Sequence, residues 1–167
     1  DEFFDRAVAY DESEQFDKAV SDYKSYLRLV PDDANAFYNL GLTYESQGKF
    51  DLAKTHFSRA IKLDGSDPDF YTARAGILYE QDLDKQAISD YTKAIELGDE
   101  SAAVLYNRAL SYYHTQKYLK AIEDCSLAIA DDPTDADFYY LRGDSYVALG
   151  KFDEALLDYS ETIEMKP

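Results

Sequence analysis

The stretch FDLAKTHFSRAIKLDG, residues 50–65, decides the fold, because a related phrase recurs along the whole chain. Phe50, Ala53, Phe57, Ala60 and Ile61 are separated by three, four, three and one residues, so they lie on one face of an α-helix. The related phrases are FDKAVSDYKSYLRLVP (16–31), LDKQAISDYTKAIELGD (83–99), YLKAIEDCSLAIADDP (118–133) and FDEALLDYSETIEMKP (152–167). The pattern predicts five copies of one amphipathic helix.

The spacing between these phrases is constant. Alanines recur 34 residues apart, without insertion or deletion, at Ala19, Ala53, Ala87, Ala121 and Ala155. A unit of this length cannot bury its own apolar face and must stack on its neighbours. We therefore predict a single array over residues 1–167, with repeats at 1–33, 34–67, 68–101, 102–135 and 136–167.

The first half of each repeat predicts a second helix. Phe37, Leu40, Gly41 and Tyr44 have helical spacing. A small residue recurs at Ala7, Gly41, Ala75, Ala109 and Gly143. We expect it to face the repeated alanine, so that the two helices approach closely. A larger side chain there is expected to cost about 1–3 kcal/mol through overpacking.

Helix ends are also marked. Short oxygen-bearing residues precede the predicted first helices at Asp33, Asp67, Ser101 and Asp135. Each is expected to accept a hydrogen bond from an unpaired backbone amide of the first turn. Pro68 stands at a first helical position, where its missing donor is harmless. Gly48 and Gly150 suit a tight turn inside the hairpin.

The order of aromatic, Leu, Gly or Ala, Tyr, then aromatic, Ala, aromatic, Ala and Pro resembles the tetratricopeptide repeat family along all 167 residues. The resemblance implies an all-α fold. Its architecture is then an α-solenoid of five helix-turn-helix hairpins stacked in a right-handed superhelix. Bulky Tyr26 and polar Thr162 depart from the small residue that the pattern has late in the second helix.

Charge limits the partners. The chain has 34 acidic and 17 basic residues, a net charge of −17 and a pI near 4.3. Only the second repeat is balanced. A surface that binds nucleic-acid phosphates needs the opposite sign, so we expect no nucleic-acid partner.

Part of the charge has a structural pattern. Arginine recurs at one repeat position and aspartate sixteen residues later, as Arg6 with Asp22, Arg74 with Asp90, Arg108 with Asp124, and Arg142 with Asp158. In the second repeat both are replaced, by Leu40 and His56. This joint replacement predicts four ion pairs within hairpins rather than between neighbours. The alternative is that each arginine buries its stem and leaves its head in water.

No catalytic or metal-binding constellation is visible. His56 and His114 stand in different hairpins, and no spacing suits zinc or a phosphate loop. The acidic turns around Asp64 and Asp131 lack the ligand order of a calcium loop. Cys125 falls on the apolar stripe and is expected to be a small buried hydrophobe. We expect no enzyme activity, no cofactor and no metal.

Targeting signals are also missing from this sequence. It contains no signal peptide, no membrane span and a single cysteine, so we expect a cytoplasmic location and no membrane contact in this segment. It starts at Asp1 rather than methionine, and we expect it to be a fragment or a processed chain.

In the resembling family the first helices line a concave groove. The candidate peptide-binding residues are Tyr38, Asn39, Leu42, Tyr79, Tyr106, Asn107, Leu110, Tyr113, Tyr140 and Asp144. Tyr38, Tyr106 and Tyr140 share one repeat position. Exposed tyrosines are common at binding hot spots. The alternative is that these rings pack along neighbouring first helices, and one ring can do both.

These residues favour one kind of partner. In the family, binding of the acidic tails of heat-shock chaperones uses lysine and arginine in the groove. The matching positions here hold residues such as Phe4, Asp69 and Asp137. We therefore expect no chaperone-tail binding, but a non-enzymatic module that binds a basic or amphipathic peptide in an acidic, tyrosine-rich groove. The alternative is a structural or self-assembling scaffold, or a regulatory arm of a larger protein, with self-association through the uncapped last repeat.

Overall fold

A computed structural model describes residues 2–166, which form ten α-helices and, over that range, no strand. Two compact units divide the chain after Gln81. The helices of the first unit are α1 (Glu2–Glu12), α2 (Phe16–Leu29), α3 (Ala34–Ser46), α4 (Phe50–Leu63) and α5 (Pro68–Glu80). Those of the second are α6 (Asp84–Glu96), α7 (Ala102–His114), α8 (Tyr118–Asp131), α9 (Ala136–Ala148) and α10 (Phe152–Met165).

Helices pack on their neighbours in sequence within each unit. The pairs α1–α2, α3–α4, α7–α8 and α9–α10 form helical hairpins. Successive hairpins are joined through α2–α3 and α4–α5 in the first unit, and through α6–α7 and α8–α9 in the second. This near-neighbour packing is that of an all-α solenoid, which confirms the fold class expected from the 34-residue period.

The repeated alanines lie at the centre of the hairpins, each 2% exposed or less. The small residue of the first helix was expected to face this alanine, and at the two glycines the nearest neighbour is an aromatic ring of the second helix. A Cβ on Gly41 would lie 2.5 Å from Cε1 of Phe57, and one on Gly143 would lie 2.8 Å from Cε1 of Tyr159. The aromatic residue four positions after the alanine fills this space, because a helical side chain leans back over the preceding turn.

Three of the four expected helix caps form. Asp33 accepts a hydrogen bond from the amide of Ala36, and Asp67 and Asp135 accept from the amides two residues later. The prediction for Ser101 was wrong, because its hydroxyl donates to Asp99 instead, at 2.7 Å. The amide of Ala102 donates to Asp131 at 3.0 Å, so an acid from α8 caps α7.

The turn inside each hairpin imposes the same backbone conformation. Residues at one repeat position have φ between 57° and 72°: Glu14, Gly48, Asp82, Gln116 and Gly150. This left-handed conformation is free of steric cost only for glycine. The hairpin therefore sets the turn geometry even where the residue does not favour it.

Candidate functional site

Arginine–aspartate pairs tie the hairpins of the second unit. Arg108 donates from Nε and Nη2 to both oxygens of Asp124, at 2.7 and 2.8 Å. Arg142 makes the same two contacts with Asp158, at 2.9 and 2.7 Å. The aspartates are buried, so the parallel geometry of a planar guanidinium satisfies charges that water does not reach.

The first hairpin has the same kind of arginine–aspartate pair, with an arginine that is more exposed to solvent. Arg6 donates to Asp22 at 2.6 and 2.9 Å, while the arginine side chain is 58% exposed. Hydrogen bonding from Arg6 lowers the pKa of Asp22. The structure thus brings together three of the four residue pairs named from the sequence. The pair of Arg74 in the first unit with Asp90 in the second stays a prediction.

Sequence reading missed a second contact of these arginines. Nη1 donates to a hydroxyl of the preceding hairpin, from Arg74 to Ser58 at 3.0 Å, from Arg108 to Thr92 at 3.2 Å and from Arg142 to Ser126 at 3.1 Å. A signal was present, because Ser58, Thr92 and Ser126 are spaced by 34 residues and each precedes its arginine by sixteen. Arg108 and Arg142 therefore connect neighbouring hairpins as well as the two helices of their own hairpin, and Arg74 connects neighbouring hairpins.

The second hairpin lacks this arrangement. Leu40 is buried, and the ring of His56 stacks between Phe37 and Tyr44, with interplanar angles of 19° and 13°. Lys24 replaces the hydroxyl residue and lies 5.6 Å from the centre of the Tyr44 ring. Burial, and then the charge of Lys24, lowers the pKa of His56. The three positions have changed together.

The predicted groove residues of the first unit divide between packing and a cavity. Tyr38 packs its ring on Phe57 and Phe70, with centroids 5.7 and 5.1 Å away. Tyr79 lies half-buried on α5. Asn39 and Leu42 line a cavity of about 290 Å³ between the first two hairpins.

We call this space the first-unit cavity. Its lining residues are Val8, Asp11, Glu12, Phe16, Tyr23, Asn39, Leu42, Thr43 and Ser46. Oδ2 of Asp11 accepts a hydrogen bond from the hydroxyl of Thr43 at 2.7 Å. Oδ1 of Asp11 is buried and has no hydrogen-bond donor. Burial raises the pKa of Asp11, and the hydroxyls of Thr43 and Tyr23 oppose that shift.

In the second unit, Tyr106 is also a packing residue. Its ring lies 5.0 Å from that of Phe138, at the contact between successive hairpins. Leu110 and Tyr113 pack against a core cluster that contains Cys125 and Leu141. Asn107 is half-buried on the same helix. Burial raises the pKa of the Cys125 thiol to about 12, as expected for an unreactive core residue.

Tyrosines gather around a carboxylate at the end of the second unit. We call the aromatic-acidic cluster the set Tyr113, Tyr118, Tyr140, Asp144 and Tyr159. The hydroxyl of Tyr159 donates to Oδ1 of Asp144 at 2.7 Å. Tyr140 lies 5.9 Å from Tyr159, and Tyr113 lies 5.5 Å from Tyr118, between ring centres. Burial and then the charge of Asp144 raise the pKa of Tyr113.

The cluster is open to solvent at Tyr140, which is 53% exposed. Tyr38 and Tyr106, at the same repeat position, are covered by Phe70 and Phe138. Tyr118 and Tyr159 were not among the groove residues expected from the sequence. Tyr159 lies on the apolar stripe of its helix, so its pattern is that of a core residue although its hydroxyl reaches Asp144.

Residues 2–166 contain no group of three or more side chains that could together hold a metal ion. None of the helices in this range is both long and apolar enough to cross a bilayer.

Sequence comparisons identify three family models. Residues 34–67 match the model described as tetratricopeptide repeat, and residues 7–48 match one described as TPR repeat. Residues 86–161 match a model described as subunit 3 of the anaphase-promoting complex, or cyclosome. A comparison with curated proteins finds no match.

Solved structures are also similar to this chain over nearly its whole length. A structure described as the crystal structure of MamA protein has a TM-score of 0.92 and 25% identity, covering 98% of this chain and 90% of that chain. YrrB, described as a TPR protein with an unusual peptide-binding site, has a TM-score of 0.91 and 20% identity, covering 99% and 85%. MamA from Desulfovibrio magneticus RS-1 has a TM-score of 0.92 and 18% identity, covering 98% and 93%.

Proposed function

Because this chain is a member of the tetratricopeptide repeat family, a family of protein-interaction modules, we propose that it binds a basic or amphipathic segment of a partner protein. The aromatic-acidic cluster is the contact surface in this proposal. The observation that carries it is the exposure of Tyr140 beside Asp144, in a cluster of four tyrosines. No catalytic step is part of the proposal.

The chemistry of the cluster favours a cation. The face of a tyrosine ring attracts a lysine or arginine side chain by about 0.5–2 kcal/mol, and a neighbouring carboxylate adds to that attraction. Tyrosine also loses little conformational entropy on binding, because few side-chain angles must be ordered. The net charge of −17 attracts basic segments at long range and repels acidic ones.

The fold is compatible with peptide binding. YrrB, which shares it, is described as having a peptide-binding site. The contact surface proposed for this chain is the aromatic-acidic cluster, so the test must address that cluster.

A peptide array tests the proposal. Wild-type protein is expected to capture peptides rich in lysine or arginine, with affinity that falls as salt is raised. Tyr140→Ala and Asp144→Asn are expected to weaken capture, while Tyr140→Phe retains most of it because the ring remains. Asp153→Asn, an exposed acid on α10, is the charge-matched control.

Two outcomes would contradict this proposal. One is selection of acidic peptides. The other is equal capture by Asp144→Asn, Asp153→Asn and the wild type, because general charge rather than the cluster would then explain binding.

We further propose that α10 joins a second copy of the chain. Leu156 and Ile163 are 63% and 67% exposed on α10, whereas Ile129, one repeat before Ile163, is partly buried against a core cluster that contains Phe138. Ser160 corresponds to Ser126, which accepts from Arg142 of the next hairpin. Arg6 occupies the repeat position of Arg142 and is exposed. In this proposal Arg6 of a second copy therefore donates to the hydroxyl of Ser160.

Molar mass tests this second proposal. Light scattering of the wild type over a concentration series is expected to show growing mass, and Ile163→Glu is expected to abolish the growth. Leu119→Glu, at a residue 68% exposed on α8, should leave it unchanged. A monomer mass at every concentration would refute self-association.

A further inference from the structure

We propose that the aromatic-acidic cluster binds a methylated ammonium group, namely the trimethylated side chain of a lysine in the bound segment. The inference rests on the proposed function, because it names the chemical form of the cation that the same surface takes. The cluster consists of four tyrosine rings and one carboxylate, contributed by α7, α8, α9 and α10.

The carboxylate of this cluster occurs once in the array. Asp144 stands at a repeat position that holds apolar residues or glycine elsewhere, namely Val8, Leu42, Gly76 and Leu110. Asp144 is half-buried, and a carboxylate at such a place is less favourable than an apolar side chain unless it has a partner. The other four repeats form their hairpins without this charge. A role in binding therefore explains Asp144 better than a role in the repeat.

The rings around Asp144 are already held in place. The hydroxyl of Tyr159 donates to Oδ1 of Asp144 at 2.7 Å. Tyr140 packs on Tyr159 with the ring planes at 44°, and Tyr113 packs on Tyr118 with the planes at 65°. Inclined rings present their faces in different directions, which suits a group that several faces surround. A cluster held in this way has little side-chain entropy left to lose on binding.

The two pairs of rings share one electrostatic environment. The pKa of Tyr113 is raised by burial and then by the charge of Asp144. The pKa of Tyr159 is raised by burial and then by its hydrogen bond to Asp144. Tyr140 adds to both shifts, so these groups lie near one another. Because Tyr140 is 53% exposed, a cation can approach the cluster from its side.

Hydrogen bonding distinguishes between the forms of lysine at this cluster. An unmodified ammonium group has three N–H donors, which lose their water acceptors when the group is covered. Ring faces attract the charge but are weak acceptors, and Oδ1 of Asp144 already accepts from Tyr159. A trimethylated ammonium group keeps the charge, has no N–H to satisfy, and contacts the rings through its methyl groups. The cluster therefore favours the trimethylated form.

Tetramethylammonium tests this inference without a peptide. The ring NMR signals of Tyr113 and Tyr140, assigned with Tyr113→Phe and Tyr140→Phe, are followed in the full chain. Tetramethylammonium or methylammonium chloride is added at constant ionic strength. We expect saturable shifts, with a Kd about threefold or more lower for tetramethylammonium. Asp144→Asn, which keeps an oxygen for Tyr159, is expected to weaken binding, whereas the charge-matched control Asp153→Asn is not.

Peptides provide the second arm. A lysine peptide is synthesised in three forms, with the anchoring lysine free, trimethylated, or replaced by its neutral isostere, in which a tert-butyl group stands for trimethylammonium. Affinity is measured by isothermal titration calorimetry at one salt concentration. We expect the trimethylated peptide to bind about threefold or more tighter than either of the others. Tyr140→Ala is expected to remove this difference.

The outcomes separate this inference from the proposed function. If the free lysine or the neutral isostere binds as tightly as the trimethylated form, the preference for methylation is refuted. Capture that depends on Tyr140 then leaves the proposed function standing. Tetramethylammonium that shifts no tyrosine signal, or shifts them equally in Asp144→Asn, also refutes the inference. If no form of the peptide is captured while tetramethylammonium binds through Asp144, the proposed function fails and the ammonium site remains.

Discussion

The second and fourth hairpins have the same helix lengths and the same two buried alanines in their second helices, but different side chains join their helices. In the fourth, Arg108 binds Asp124 of its own hairpin and Thr92 of the preceding one. In the second, Leu40 and a stacked His56 occupy the equivalent positions. The turn also differs, with Gln116 in the fourth and Gly48 in the second.

This difference shows which interactions the hairpin requires. Close packing around the alanine is common to both hairpins, so it is the necessary part. The ion pair is an addition that occurs as a complete set of partners or is replaced as a set. Removing one partner of a buried pair is far more costly than replacing all of them by apolar or stacked groups.

The largest effect is expected from breaking the pair in the fourth hairpin. Asp124→Ala leaves the guanidinium of Arg108, whose side chain is 14% exposed, without its carboxylate. We expect a loss of about 3–5 kcal/mol in the free energy of unfolding, measured by urea titration. Asp22→Ala is the control, with a smaller loss, because Arg6 is 58% exposed. Equal losses would contradict this interpretation.

The next effect comes from installing the pair in the second hairpin. Leu40→Arg alone places an unpaired cation beside His56 and Lys24 and is expected to destabilise the protein. Adding His56→Asp and Lys24→Ser supplies the carboxylate and the hydroxyl. We expect the free energy of unfolding of the triple variant to exceed the value obtained by adding the effects of the three single substitutions, by about 0.5–3 kcal/mol. Additive effects would show that the three positions are not coupled.

A smaller effect depends on pH. Burial lowers the pKa of His56 in the folded protein below the value that the same side chain has in the unfolded chain, which is about 6.5. The contribution of neutral His56 to the free energy of unfolding is therefore complete above pH 6.5. It is lost as the pH falls toward the folded-state pKa, by at most about 1.4 kcal/mol per pH unit. His56→Phe retains a stacked ring and should remove this part of the slope. Identical pH profiles of the two proteins would refute it.

The smallest effect is expected at the turn. Gln116 has φ of 59°, a conformation that costs a non-glycine residue about 1–2 kcal/mol. Glycine avoids this steric cost but loses more conformational entropy on folding, so a change to glycine recovers only part of it. Gln116→Gly is expected to raise the melting temperature slightly, for a gain of up to about 1 kcal/mol. Gly48→Gln should produce the opposite change. A loss of stability in Gln116→Gly would indicate that the Gln116 side chain stabilises the turn.

The residues that were predicted well are those whose role depends on local periodicity. The buried alanines follow from helical spacing, as do the caps at Asp33, Asp67 and Asp135. The cap at Ser101 failed because a competing acceptor, Asp99, lies two residues away. The close contact of Gly41 with the Phe57 ring was not predicted, because the position of that ring depends on side-chain direction as well as on spacing.

The candidate site was only partly predictable. Tyr38, Tyr106 and Tyr140 are equivalent in sequence, yet the first two are packed under the ring of the next hairpin and the third is exposed. The hydroxyl contacts of the arginines had a visible 34-residue signal that was not used. The unpaired oxygen of Asp11 had no such signal.

The amino-acid sequence by itself determined the repeat, the helices, the apolar stripe and the acidic field, because these depend on residue type at a regular spacing. Tertiary structure decided which copies of a repeated residue are covered and which carboxylates find donors. Exposure and hydrogen bonding depend on atoms that approach from neighbouring helices. Equivalent positions in a periodic sequence therefore acquire different physical roles only when their surroundings in space differ.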